Sequence, residues 1–264
     1  MLMSMKRLAP AFALALAVGL MVLGGATAAV VQREGLRITV LSQILPYKLP
    51  RLGTDPIAVF IAGHIGTPSG AVPPQLKRMT VKVNRNGLLQ STGLPTCRLA
   101  ELEATSTDGA LAQCADALIG SGRFWATIVL PDQRPYPTRG RLLVFNGKNS
   151  GGPVLYAHIY TSNPFDTSFV ITFAIKRIDE GPYGTQLSAS LPQALGSWGF
   201  VDRIKLTLRR KYSFRGRQLS YFNASCPAPA GTKVTAFPLA LAGFDFSGGR
   251  HVALEVTKSC GVKE

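Results

Sequence analysis

The sequence predicts a mainly β fold, an antiparallel β-sandwich or open barrel carrying a short disulfide-clamped helical insertion. Three observations predict it. Apolar and polar residues alternate with period two through many short runs, Gly, Pro and Asn-Gly pairs separate those runs, and no strand-helix-strand alternation is visible. Four cysteines accompany the pattern, an even number that reads as two disulfides.

The beginning of the chain reads as a secretory signal. Lys6-Arg7 forms a basic start, Leu8 to Leu23 is apolar, and Ala26-Thr27-Ala28 offers small residues for cleavage after Ala28. Residues 29–264 then form a single β-rich domain, with a sub-boundary near residues 93–122. The first 28 residues hold Lys6, Arg7 and no acid, so their loss takes the formal net charge from +15 to +13. Such a charge favours anionic partners, and export makes an envelope polymer or a membrane surface more fitting than nucleic acid.

Leu36 to Leu45 and Ile57 to Ile65 are apolar runs of strand length, separated by a proline-bearing segment that a central strand cannot hold. Lys77 to Val83 alternates, with Met79, Val81 and Val83 on one face. Residues 98–104 and 110–119 read as two short helices, with Asp108 as N-cap of the second and Gly120-Ser121-Gly122 as its stop. Strands follow from Arg123, Gly140, Pro153, Ser168 and Thr185, and two more close the chain, at Lys233 to Phe246 and His251 to Ser259.

The most patterned stretch is Val201 to Cys226, which reads as one hairpin turning at Arg215-Gly216-Arg217. Arg203, Lys205, Thr207, Arg209, Lys211, Ser213 and Arg215 share one face; Ile204, Leu206, Leu208, Tyr212 and Phe214 share the other. Only Arg210 breaks the alternation. Arg203, Lys205, Arg209, Lys211, Arg215 and Arg217 are therefore candidate binding residues for a polyanion, joined by Trp198, which lies among glycines. Trp125, inside an apolar run, reads as core.

Short loops close most readily, so the expected pairs are Cys97 with Cys114 and Cys226 with Cys260. The chain has no CxxC pair and no His beside a Cys, which argues against a metal site. No nucleophile elbow, phosphate loop or dinucleotide fingerprint is present. His64, His158 and His251 stand in separate runs and read as structural or surface residues. Carboxylates are scattered over turns, and Asp202 with Glu255 is a glycosidase pair that spacing does not single out. No catalytic residue and no cofactor is expected.

The runs GLPTC, QCADALIGSG, LLVFNG, PYGTQLSAS and NASCPAPAG resemble an uncharacterised family of secreted bacterial β-rich proteins. That resemblance implies export, paired cysteines and a mainly β fold, and no activity. The expected function is a secreted or envelope-associated, non-enzymatic β protein with a binding or structural role. The alternative is an exported hydrolase whose site is assembled from distant turns.

Overall fold

The computed structural model describes residues 27–130, 132, 134–163, 166–191 and 199–263; the hydrophobic start, Ala26 of the cleavage site and Trp198 lie outside them. The chain enters through β1 (Thr27–Arg33), β2 (Leu36–Leu45), β3 (Lys48–Leu49), β4 (Asp55–Pro56), β5 (Ala58–Gly66), β6 (Leu76–Asn84) and β7 (Gly87–Leu89). One helix, α1 (Thr107–Cys114), precedes the long strands β8 (Leu118–Ile128), β9 (Tyr136–Asn149), β10 (Gly152–Thr161), β11 (Thr167–Glu180) and β12 (Tyr183–Ser190). Then come β13 (Gly199–Leu208), β14 (Lys211–Phe214), β15 (Arg217–Ser220), β16 (Phe222–Ala224), β17 (Val234–Phe246) and β18 (His251–Val262).

Thirteen strands form one sheet in the order β1-β2-β5-β13-β8-β9-β10-β11-β12-β6-β17-β18-β3. All its ladders are antiparallel except the last, β18 with β3. Leu36 and Ile38 of β2 pack with Phe244 and Phe246 of β17 and Val252 and Leu254 of β18. These strands stand near opposite ends of the order, so the sheet curls until its ends meet. β1 then lies alongside β18, and across this seam the Glu34 carboxylate accepts a hydrogen bond from the His251 amide at 3.0 Å.

The curl has local causes. Register shifts interrupt the ladders β8–β9, β13–β8, β11–β12, β12–β6, β6–β17 and β17–β18, and such bulges bend a strand and raise its twist. A Cβ on Gly140 would stand 1.9 Å from the Tyr160 carbonyl oxygen, and one on Gly122 2.0 Å from that of Lys205. Only glycine permits backbones to approach that closely.

One end of the curl is plugged. The small sheet β4-β16-β7 and the hairpin β14–β15 carry Tyr212, Tyr221 and Phe222 against Leu206 and Leu208 of β13 and Ile175 of β11. The Tyr212 hydroxyl lies 3.1 Å from the Gln90 carbonyl oxygen and 3.0 Å from that of Thr92. The Cys226–Cys260 disulfide ties the plug to β18, inside a cluster with Leu49, Ala224, Ala228 and Phe237.

The helical insertion covers the outside of β9 and β10. Leu102, Ala110 and the Cys97–Cys114 disulfide pack on Leu143, Phe145, Val154 and Tyr156. The first helix is shorter than expected, residues 98–104 contributing one 3-10 turn, Leu99–Glu101, and the second starts earlier, at Thr107, with α1 ending at Cys114 and a 3-10 turn, Ala115–Ala117, continuing it. Ser106, whose hydroxyl accepts from the Gly109 amide at 3.1 Å, is the N-cap in place of Asp108. Strand β8 then starts at Leu118 and runs through Gly120 and Gly122 instead of stopping before them. No helix among the described residues is long and apolar enough to cross a membrane.

Beneath this insertion His158 is fully buried, and its Nε2 lies 3.0 Å from the Thr105 carbonyl oxygen. A carbonyl only accepts, so Nε2 carries the proton of a neutral ring. Burial pushes the His158 pKa down, against a smaller upward pull from the Thr105 bond. The unfolded chain therefore binds a proton that the folded chain refuses. This contribution to stability is full above the ordinary histidine pKa of about 6.5 and is lost as pH falls below it. Urea titrations from about pH 7.5 down to about pH 5 are expected to show this loss. His158→Gln, which keeps a donor for Thr105, is expected to flatten the slope, and an unchanged slope contradicts the assignment.

Candidate polyanion-binding face

The expected hairpin from Val201 to Cys226 is divided into parts. Residues 199–208 form β13, which is hydrogen-bonded to β5 and β8 inside the large sheet. The hairpin proper is only β14–β15. Between them Arg209 and Arg210 leave the strand, and the Arg210 guanidinium donates to the Asp116 carbonyl at 3.0 Å. The break falls at the one residue that interrupted the alternation.

The predicted cations thus fall into two groups. Lys211, Arg215 and Arg217 are exposed on the hairpin at the plugged end, with Arg209 exposed at its base. The Arg215 guanidinium lies 5.2 Å from the Phe214 ring centroid, and Arg215 and Gly216 take φ of 51° and 72° in the turn. Arg203 and Lys205 stand elsewhere, on the outward face of β13.

Strand pairing adds residues that no linear reading joined to Arg203 and Lys205. Lys205 lies opposite Arg123 of β8, and Arg123 opposite Arg141 of β9. One step along, Arg203 lies opposite Trp125, and Trp125 opposite Arg139. His64 of β5 continues that second row on the other side of Arg203. The inward neighbours Phe124 and Leu142 are buried in the core, while Arg123, Arg139, Arg141, Arg203 and Lys205 are all exposed.

Adjacent strands are about 4.8 Å apart and same-face residues about 7 Å apart along a strand. Five cations therefore share a patch of roughly 10 Å by 7 Å. Trp125 lies among them. Expected in the core, it is half-buried on the outward face, its ring centroid 5.8 Å from the Arg203 guanidinium carbon and 6.0 Å from the Lys205 ammonium. The core position of this run belongs to its neighbour Phe124, which is 1% exposed.

Electrostatically the patch is unfinished. Like charges directly opposite on one sheet face destabilise the pair. Lys205, Arg123 and Arg141 are three such charges in a line. Among the described residues none of the five cations lies within 4.0 Å of a carboxylate. The carboxylates at the border are engaged: Asp166 accepts from the Tyr160 hydroxyl at 2.8 Å, and Asp202 from the Thr127 hydroxyl at 3.1 Å. The Asp166 bond holds the Tyr160 pKa above its ordinary value.

Other candidates for chemistry sit apart from this face. Glu255 accepts from Tyr183 at 2.7 Å, and burial first, then this bond, pushes the Tyr183 pKa up to about 12. Glu255 is on β18 and Asp202 on β13, so the proposed glycosidase pair is split between two strands, each carboxylate held by a hydroxyl. His251 Nδ1 lies 2.6 Å from Asp245 at the seam. Cys97, Glu101 and Cys114 bring three ligand-type atoms together, but the two sulfurs are bonded to each other. Comparison with protein-family models, curated proteins and solved structures finds no match for this chain.

Proposed function

We propose that this chain is an exported, non-enzymatic β protein that binds an anionic polymer of the cell envelope through the outward faces of β13, β8 and β9. The observation carrying this reading is the in-register row Lys205, Arg123, Arg141 with no carboxylate within 4.0 Å among the described residues. A row of this kind costs folding free energy when bare and gains when a polyanion lies across it. Counterion release adds to the affinity, and Trp125 provides an apolar floor between the cations. The signal-like start and the two disulfides support export.

Retention of the mature chain on immobilised polyphosphate and on polygalacturonate tests the reading. The polyphosphate arm reads phosphate binding and the polygalacturonate arm carboxylate binding. Binding is expected at low salt with a log-log salt slope of about −3.5 to −4.5, roughly 0.7 to 0.9 for each of the five cations engaged. Failure to bind either polymer at low salt contradicts it.

A further inference from the structure

The inside of the curl is not uniformly filled. Side chains that point inward from β9 and β10, such as Leu142 and Ile159, are buried. On the facing part of the wall Ile61 of β5 and Val81 of β6 are only half-buried, and Leu187 of β12 with Ile204 and Leu206 of β13 keep exposed surface although they also pack against the buried clusters. Their inward orientation follows from the registers, which align Ile61 with Leu206 and Val81 with Leu187. These are mid-strand aliphatic groups, and a close-packed interior would leave them inaccessible.

Among the described residues no small sheet covers the end away from the plug, which is the mouth. Segment 67–75 crosses from β5 to β6, strands that stand third and tenth in the sheet order, and so passes over the opening. An open pocket of about 500 Å³ lies there, lined by Val72, Pro73, Pro74, Lys77, Val129 and Phe200. That volume is within the roughly 300–1,000 Å³ of small-molecule sites. Its lining includes one cation, Lys77, whose ammonium donates to a neutral group, the Gln75 side-chain oxygen, at 2.6 Å, with no carboxylate partner among the described residues.

Two inward-facing hydroxyls supply an independent sign. Tyr136, the first residue of β9 and opposite Ile128, and Ser42 of β2, opposite Ile61, bury their oxygens with no hydrogen-bond partner among the described residues. Ser42 is 5% exposed. A buried polar atom without a partner is rare in a folded protein and calls for a ligand or water beside it.

We infer that the curl is a cup for a single-chain amphiphile of the fatty-acid class, its acyl chain along the inward faces of β5, β13, β6 and β12 and its carboxylate at the mouth on Lys77. This site is separate from the outward cation face. Displacement of dansyl-undecanoic acid from the mature chain by hexadecanoate tests it. Saturable one-to-one binding is expected, with affinity rising about 10-fold for each two methylenes from dodecanoate to hexadecanoate. Lys77→Gln is expected to weaken hexadecanoate about 5-fold and leave hexadecanol unchanged. Leu187→Trp, or Ile204→Trp if the first does not fold by circular dichroism, is expected to abolish probe binding. Arg123→Gln with Arg141→Gln is expected to leave it intact, which separates this site from polymer binding. No saturable binding by the native chain, or full binding by a folded lumen-filling variant, overturns the inference.

Discussion

Replacing Arg123, Arg141 and Lys205 together by Gln is expected to lower affinity for polyphosphate about 100-fold at low salt. Each cation close to a dense anionic surface contributes on the order of 1 kcal/mol. Three removed together cost roughly 3 kcal/mol, which is a factor of about 150, reduced somewhat by the remaining Arg139 and Arg203. The same substitutions remove three like charges that face one another across β13, β8 and β9. Folding stability is therefore expected to hold or rise slightly, by a few tenths of a kcal/mol per relieved pair. Loss of binding with unchanged or raised stability is the signature of a face kept for a ligand. Loss of both would mean the residues are structural, and isothermal calorimetry beside urea titration distinguishes the two.

Removing the Cys226–Cys260 disulfide, as the double Ala variant, is expected to cost about 3.8 kcal/mol, from the entropy of closing a 34-residue separation. For a domain of this size that is a fall in Tm of roughly 8–15 °C. The Cys97–Cys114 pair, with a separation of 17, is expected to cost about 3.2 kcal/mol. The two losses differ in what they release. The first frees the plug from β18, with Tyr212, Tyr221 and Phe222 seated against the wall; the second loosens a cover on the outside of β9 and β10. Proteolysis of the first variant is expected to begin in the segment around residues 209–233, and of the second around residues 98–117. Equal cleavage patterns, or a loss below about 1 kcal/mol for the first variant, would contradict these roles.

The strands were legible because their side chains alternate. In β18, Val252, Leu254 and Val256 are buried and Ala253, Glu255 and Thr257 exposed, as period two requires. Both disulfides followed from proximity in the chain. Trp125 was misread because Phe124 and Trp125 are adjacent aromatics in one apolar run, and phase alone does not say which faces in. The break at Arg210 had a signal, its interruption of the alternation, yet the reading carried the hairpin through it. Above all, Arg123, Arg139 and Arg141 did not stand out. Each is an ordinary outward residue of its own strand, and only the antiparallel registers β13–β8 and β8–β9 set them beside Lys205 and Arg203. Register between strands so distant in the chain depends on side-chain packing across the whole curl, which no local pattern records.

The central claim is that the wall, and not the hairpin, holds the polymer. Its most direct measurement is the salt dependence of polyphosphate affinity for two variants, Arg123→Gln/Arg141→Gln/Lys205→Gln and Arg209→Gln/Lys211→Gln/Arg215→Gln. The wall variant is expected to lose about 2 units of log-log salt slope, and the hairpin variant less than about 1. The reverse order, with the hairpin variant losing the slope and the wall variant keeping it, would contradict the account.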